Sequence, residues 1–191
     1  GLSIKPYPSV VLSHPSMDAM LSLVTEHDIR PEQVDTIELH GGPNVLNIKY
    51  HRPVTGTEGK FSMEFCLVLM LMRRRAVLAD FTDAFVSSAP VQELIARMKP
   101  VRDAAIEAGG FSALDSRIVL RLKDGRMVER RSGAYRGSPA NPMSAQELGG
   151  KFLGCAETAI GAAGARKALA ALRAVETLSD VRALGEALAG E

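Results

Sequence analysis

Eight polar side chains flank the proline and glycine turns of this sequence: Lys5, Tyr7, Ser9, His14, Tyr50, His51, Lys60 and Ser62. The two lysines can give charge-assisted hydrogen bonds to carboxylates. Tyrosine and histidine can carry a proton to or from a carbon beside a carboxylate. As a set they suit a substrate with several carboxylate groups. Lys60 and Ser62 stand at the polar start of an apolar run, in Thr57-Glu58-Gly59-Lys60-Phe61-Ser62. The open N–H groups of a helix start favour an anion, Ser62 offers an N-cap hydroxyl, and Gly59 would let the backbone approach a ligand. The plainer reading is a capped core helix with a solvated lysine. No metal centre is expected, because His14, His27, His40 and His51 lack ligand spacing and no nearby cysteines complete a zinc set. There is no GxSxG and no Walker motif, and Gly41-Gly42 alone is weak evidence of a phosphate loop.

The totals limit the partners. A chain of 191 residues suits one domain, or one domain and part of another. A net charge of +1 sets up no field toward nucleic acid or anionic lipid. Without Trp, and with 5% aromatics, a platform for stacking bases is not expected either. Arg73-Arg74-Arg75 reads as a helix C-terminus, and Arg130-Arg131 and Arg136 are the other basic candidates. Neither nucleic acid nor membrane is therefore expected as a partner. Cys66 and Cys155 both fall in apolar helical pattern, which predicts buried thiols in a reducing, cytoplasmic compartment. The start, Gly-Leu-Ser-Ile-Lys-Pro-Tyr-Pro, has no signal-peptide pattern and no initiator Met, which suggests a processed or partial chain.

The elements that must position these groups centre on Phe65 to Met72, eight consecutive apolar residues. Leu and Met outnumber β-branched residues there, so the run predicts a buried helix over Lys60–Met72, too short to span a bilayer. A helix from Ser13 or His14 is expected before it. Pro15 suits its first turn, Asp18 its positive end, and Met17, Met20, Leu21 and Val24 its apolar face. Val34 to His40 predicts a strand with imperfect alternation, and Asn44 to Gly59 a long loop carrying Tyr50, His51 and Arg52. Helices are expected in Ala79–Phe85 and Val91–Met98, and a short strand in Met98–Ala104. Ser116–Lys123 and Arg126–Arg131 predict a hairpin about Asp124-Gly125. Ser132 to Met143 reads as a boundary loop, followed by a capping box at Ser144–Glu147. Ala-rich helices over Ala159–Val175 and Val181–Leu188 end the chain; Gly161 to Gly164 would let them pack closely. They are too few and too small to form a core alone.

A family resemblance adds to this. Lys5-Pro6-Tyr7-Pro8-Ser9, His14-Pro15 and Asp18-Ala19 resemble the K-x-Y-P-S … H-P-x-x-D-A segment of the MmgE/PrpD family. Thr55-Gly56 through Gly59-Lys60-Phe61-Ser62-Met63-Glu64-Phe65 resembles its TGLEGKFSMEF segment. Leu78 to Asp83, Asp124-Gly125, Arg136 to Ser144 and Lys151-Phe152 match in order. Together these segments cover nearly the whole chain, and the ordered set is more specific than any one of them. The family includes 2-methylcitrate dehydratase, cis-aconitate decarboxylase and iminodisuccinate epimerase.

The resemblance implies an α+β fold: a small α/β lid over residues 1–140, then helices over 141–191 that return to an all-helical domain. That domain is N-terminal in the family and lies outside this sequence. It also implies a cofactor-free site between the two domains, and a homodimer. By position Lys5 and Tyr50 match residues of that site, with His14 and Lys60 beside them. Lys5, Tyr50 and His14 are thus the expected catalytic groups, and Ser9, Lys60 and Ser62 the expected substrate-binding groups. Many members carry Cys after the Y-P-S, where this sequence has Val10-Val11, so their substrates do not transfer directly. The expected function is the lid part of a lyase or isomerase for a small polycarboxylate, resembling 2-methylcitrate dehydratase and inactive without the other domain. The alternative is a non-catalytic binding or assembly module of the same fold.

Overall fold

A computed structural model describes residues 1–110 and 114–189. Contacts divide the chain into two units, Gly1–Pro142 and Met143–Glu191. The first unit is α+β. Helix α1 (His14–Glu26) leads into strand β1 (Val34–Gly41), and single turns α2 (Pro43–Leu46) and α3 (Gly56–Gly59) follow. Helix α4 (Met63–Arg73), the turn α5 (Asp83–Val86) and helix α6 (Ala89–Ala96) come next. Strand β2 (Met98–Arg102), the turn α7 (Ala104–Glu107) and strands β3 (Ser116–Leu122) and β4 (Met127–Arg131) complete it.

The sheet order is β2-β1-β3-β4, with β1 parallel to β2 and antiparallel to β3. A bulge between Val34 and Thr36 shifts the register of β1. An extra residue at a bulge reverses which side chains face inward. That is why Val34, Ile37 and Leu39 fail to alternate in sequence yet all join the core, while Thr36, paired with Arg121, lies on the other face. Ile118, Leu120 and Leu122 of β3 join them on the core face.

Helix α4 is the centre of this core. Met63 and every residue from Phe65 to Leu71 are buried. It lies against α1 and α6, while α1 also packs on β3 and β4. The helix begins at Met63, later than its apolar pattern suggests. Ser62 is the N-cap and accepts a hydrogen bond from the Phe65 N–H at 3.2 Å. Lys60 instead ends the preceding turn α3, and Phe61 is largely exposed. Gly59 serves packing rather than a ligand: a Cβ there would meet the Phe65 ring and Val86 at 3.0 to 3.2 Å. Arg74 closes α4 in the left-handed conformation and pairs with Asp28 at 2.7 Å, while Arg73 and Arg75 face Asp80.

Other boundaries differ from the sequence pattern. The stretch from 44 to 59 contains α2 and α3, and Ala79–Phe85 is a 3-10 turn followed by the single turn α5. The hairpin loop has three residues rather than two. Gly125 N–H donates to Leu122 O, and Gly125 has φ 88°, the conformation of a type I turn closed by a glycine bulge.

The second unit holds α8 (Ala145–Arg173), interrupted at Gly161, and α9 (Arg182–Ala189). Ser144 and Glu147 form the capping box at its start. Among the described residues its buried positions are Gly149, Ala165, Ala168 and Ala187, all small. Cys155 on α8 is exposed, so only Cys66 of the two thiols is buried. No helix among the described residues is long and apolar enough to cross a membrane.

Candidate functional site

Within the first unit, two backbone hydrogen bonds join three distant segments. Val10 N–H donates to Lys60 O at 2.9 Å, and Tyr50 N–H donates to Phe61 O at 3.1 Å. The chains carrying Lys5, Tyr50 and Lys60 are thereby tied to the link between α3 and α4. Lys5 is exposed, and Tyr50 and Lys60 are half-buried. Among the described residues no carboxylate forms an ion pair with Lys5 or Lys60. The Lys49 ammonium lies 5.0 Å from the Tyr50 ring centre, adding positive charge beside the phenol.

Ser62, Ser9 and His14 lie inside the unit. Ser62 is occupied as a cap and donates its own hydroxyl proton to Glu64 at 3.2 Å. On the other side of Glu64, His51 Nδ1 stands at 2.7 Å, although His51 itself is exposed. The Ser9 hydroxyl lies 3.1 Å from that of Ser13, and both contact the Met17 sulfur. His14 has no exposed surface and is held edge-on between Tyr7 and Tyr135, with ring centres 5.4 and 5.9 Å away.

Tyr7 belongs to a connected polar group. Its hydroxyl donates to Asp18 Oδ1 at 2.5 Å and accepts from the Arg136 guanidinium at 3.1 Å. Asp18 Oδ2 also accepts the Arg136 backbone N–H at 2.8 Å. Burial, reinforced by the Asp18 carboxylate, holds the Tyr7 hydroxyl well above the ordinary tyrosine range, so it stays a donor. Asp18 is the fifth residue of α1, past the first turn, and its carboxylate is spent on Tyr7 and Arg136 rather than on the helix dipole. The sequence pattern did not single out Asp18 or Arg136 as partners. The signal available was that both fall inside the family-like segments.

Two surface cavities of this unit lie elsewhere. One of about 200 Å³ is lined by His51, Arg52, Glu64, Ile95, Ala96, Met98 and Pro100. The other, of about 380 Å³, lies beside Met72, Pro90 and Arg97. Neither includes Lys5, Tyr50 or Lys60 in its wall. A hollow of about 470 Å³ in the second unit is lined mostly by Ala and Gly, with Lys167 and Glu186. Among the described residues, no group of His, Cys, Asp and Glu is placed to hold a metal ion.

Comparison with known proteins gives two concordant matches. The model of the MmgE/PrpD C-terminal domain matches residues 7–177. Human (Homo sapiens) cis-aconitate decarboxylase is 26% identical over 156 residues, which cover 79% of this chain and 32% of that protein. The chain thus spans about a third of the length of that curated relative. The match takes in the segments that carry Tyr7, Tyr50, Lys60 and Arg136, and with it the chain belongs to the MmgE/PrpD family, whose C-terminal domain it carries.

Proposed function

We propose that the chain is the C-terminal part of a cofactor-independent lyase or isomerase acting on a small polycarboxylate, resembling 2-methylcitrate dehydratase; the similarity to cis-aconitate decarboxylase supports the lyase class. Residues 1–140 would act as the lid, and the helices after it would join an N-terminal helical domain that completes the site. The whole protein would work as a cytoplasmic homodimer. One observation carries this reading: the Val10–Lys60 and Tyr50–Phe61 backbone bonds tie together the segments bearing two cations and a phenol. Lys5 and Lys60 would hold substrate carboxylates and stabilise the enolate-like charge that forms when a neighbouring proton leaves. Tyr50 would carry the proton. His14, Ser9 and Ser62 would support this surface from inside.

Steady-state kinetics of the full-length protein on 2-methylcitrate, cis-aconitate and related acids test this. Lys5→Met is expected to raise KM. Tyr50→Phe is expected to lower kcat by about 10²–10⁴-fold. Lys60→Met is expected to raise KM less than Lys5→Met does. Residues 1–191 alone are expected to give no turnover. Wild-type kinetics for both Lys5→Met and Tyr50→Phe, with unchanged melting curves, would end the reading and leave a binding or assembly module.

A further inference from the structure

We infer that Tyr7, Asp18 and Arg136 are positioning residues for Lys5, fixing the short backbone segment from which its side chain extends. This rests on the reading that Lys5 binds a substrate carboxylate.

The segment around Lys5 has anchors on both sides. Before it, the Ile4 N–H donates to Gly137 O at 2.8 Å. After it, the buried Tyr7 hydroxyl is held between Asp18 and Arg136. Arg136 and Gly137 are adjacent, so one loop grips both sides of Lys5. That loop is in turn fastened to α1, because Asp18 accepts the Arg136 backbone N–H. The arginine makes a second contact as well, with its guanidinium carbon 5.4 Å from the centre of the Tyr7 ring. Pro6 and Pro8 limit the backbone torsions on either side of Tyr7.

The chemical need for such an arrangement is entropic. A lysine has a long flexible stem, and holding its ammonium at one point costs rotamer freedom. A mobile backbone beneath it would add to that cost at each binding event. Fixing the backbone in advance leaves only the side chain to order, and places the cation within the narrow tolerance that bound reactants require. The Tyr7 ring is wedged against His14 and cannot itself swing outward to substrate. Its hydroxyl therefore acts through Lys5 and is not a catalytic group.

Two measurements on the full-length protein test this. The first is amide hydrogen exchange over Gly1–Val10. Tyr7→Phe keeps the ring and removes the hydroxyl bonds, one of them to a charged acceptor. Exchange there is expected to rise about tenfold or more, with α4 unchanged. The second is a double-mutant cycle on KM with cis-aconitate or 2-methylcitrate, whichever is turned over. If Tyr7 acts through Lys5, the pair Tyr7→Phe/Lys5→Met is no worse than Lys5→Met alone. A merely stabilising role predicts losses that multiply. Arg136→Lys, which keeps the charge, is expected to retain part of the function that Arg136→Met loses. Unchanged exchange, or multiplying losses, overturns the inference. A wild-type KM for Lys5→Met alongside faster exchange in Tyr7→Phe removes the role of Lys5 itself, and leaves Tyr7 as a plain structural anchor.

Discussion

Cys66 lies on α4 with no exposed surface, and its Sγ is 3.7 Å from the carbonyl oxygen of Gly59. Burial pushes its thiol from 9.0 up to about 11. The folded-state value lies above the unfolded one, so the unfolded chain gives up this proton first as pH rises. The stabilisation is complete below about pH 9 and is lost progressively toward pH 11, by at most ~2–3 kcal/mol. Tyr7, also raised by burial, acts with the same sign at higher pH. Urea unfolding at a series of pH values is expected to show a steeper alkaline loss for the wild type than for Cys66→Ala. Equal slopes for the two proteins would refute this. The same residue shows what single-position reading can do. Cys66 is bracketed by Phe65, Leu67 and Val68, and its burial follows from that company. Cys155 also sits in an apolar helical pattern, but the described buried positions of its helix are Gly149, Ala165 and Ala168, and Cys155 stays exposed.

Among the elements, α4 was the most legible in the sequence, because an uninterrupted apolar run has no solvent face to offer. Its centre was clear and its start was not. The sequence pattern puts the start at Lys60, yet Lys60 and Phe61 belong to the turn before Ser62, whose hydroxyl sets the boundary. Leu69 has no exposed surface and lies in the middle of this helix. Leu69→Asp places an unpaired charge there, which costs several kcal/mol and is expected to abolish cooperative folding by circular dichroism. Leu69→Ala is expected to fold and to lose about 2–5 kcal/mol in urea titrations. A cooperative Leu69→Asp protein with wild-type stability would mean that α4 is not core. The hairpin was legible for a different reason: Asp124-Gly125 is a local signal, and it missed only the size of the loop.

At the scale of the molecule, the sheet order and the grip on Lys5 were not legible. Asp18 and Arg136 lie more than a hundred residues apart, and no periodicity links them. The parallel β1–β2 pair has the same character, since its strands are joined by a long crossover through the helices between them. The described helices of the second unit bury only Gly and Ala, as their composition suggested. The sheet ends at β2 and β4, and both carry features that bear on solubility. Strand β4 ends in Glu129, Arg130 and Arg131, and β2 carries Lys99 and Pro100. Proline has no N–H to offer an incoming strand, and charged side chains resist stacking, so these edges make poor templates for other chains. Pro100→Val restores an N–H and adds β propensity at the β2 edge. The variant is expected to keep its melting temperature but to form concentration-dependent assemblies by light scattering, where the wild type stays dispersed. If Pro100→Val remains as dispersed as the wild type, Pro100 does not guard that edge. On this view Pro100 keeps one molecule from recruiting the next into a fibre.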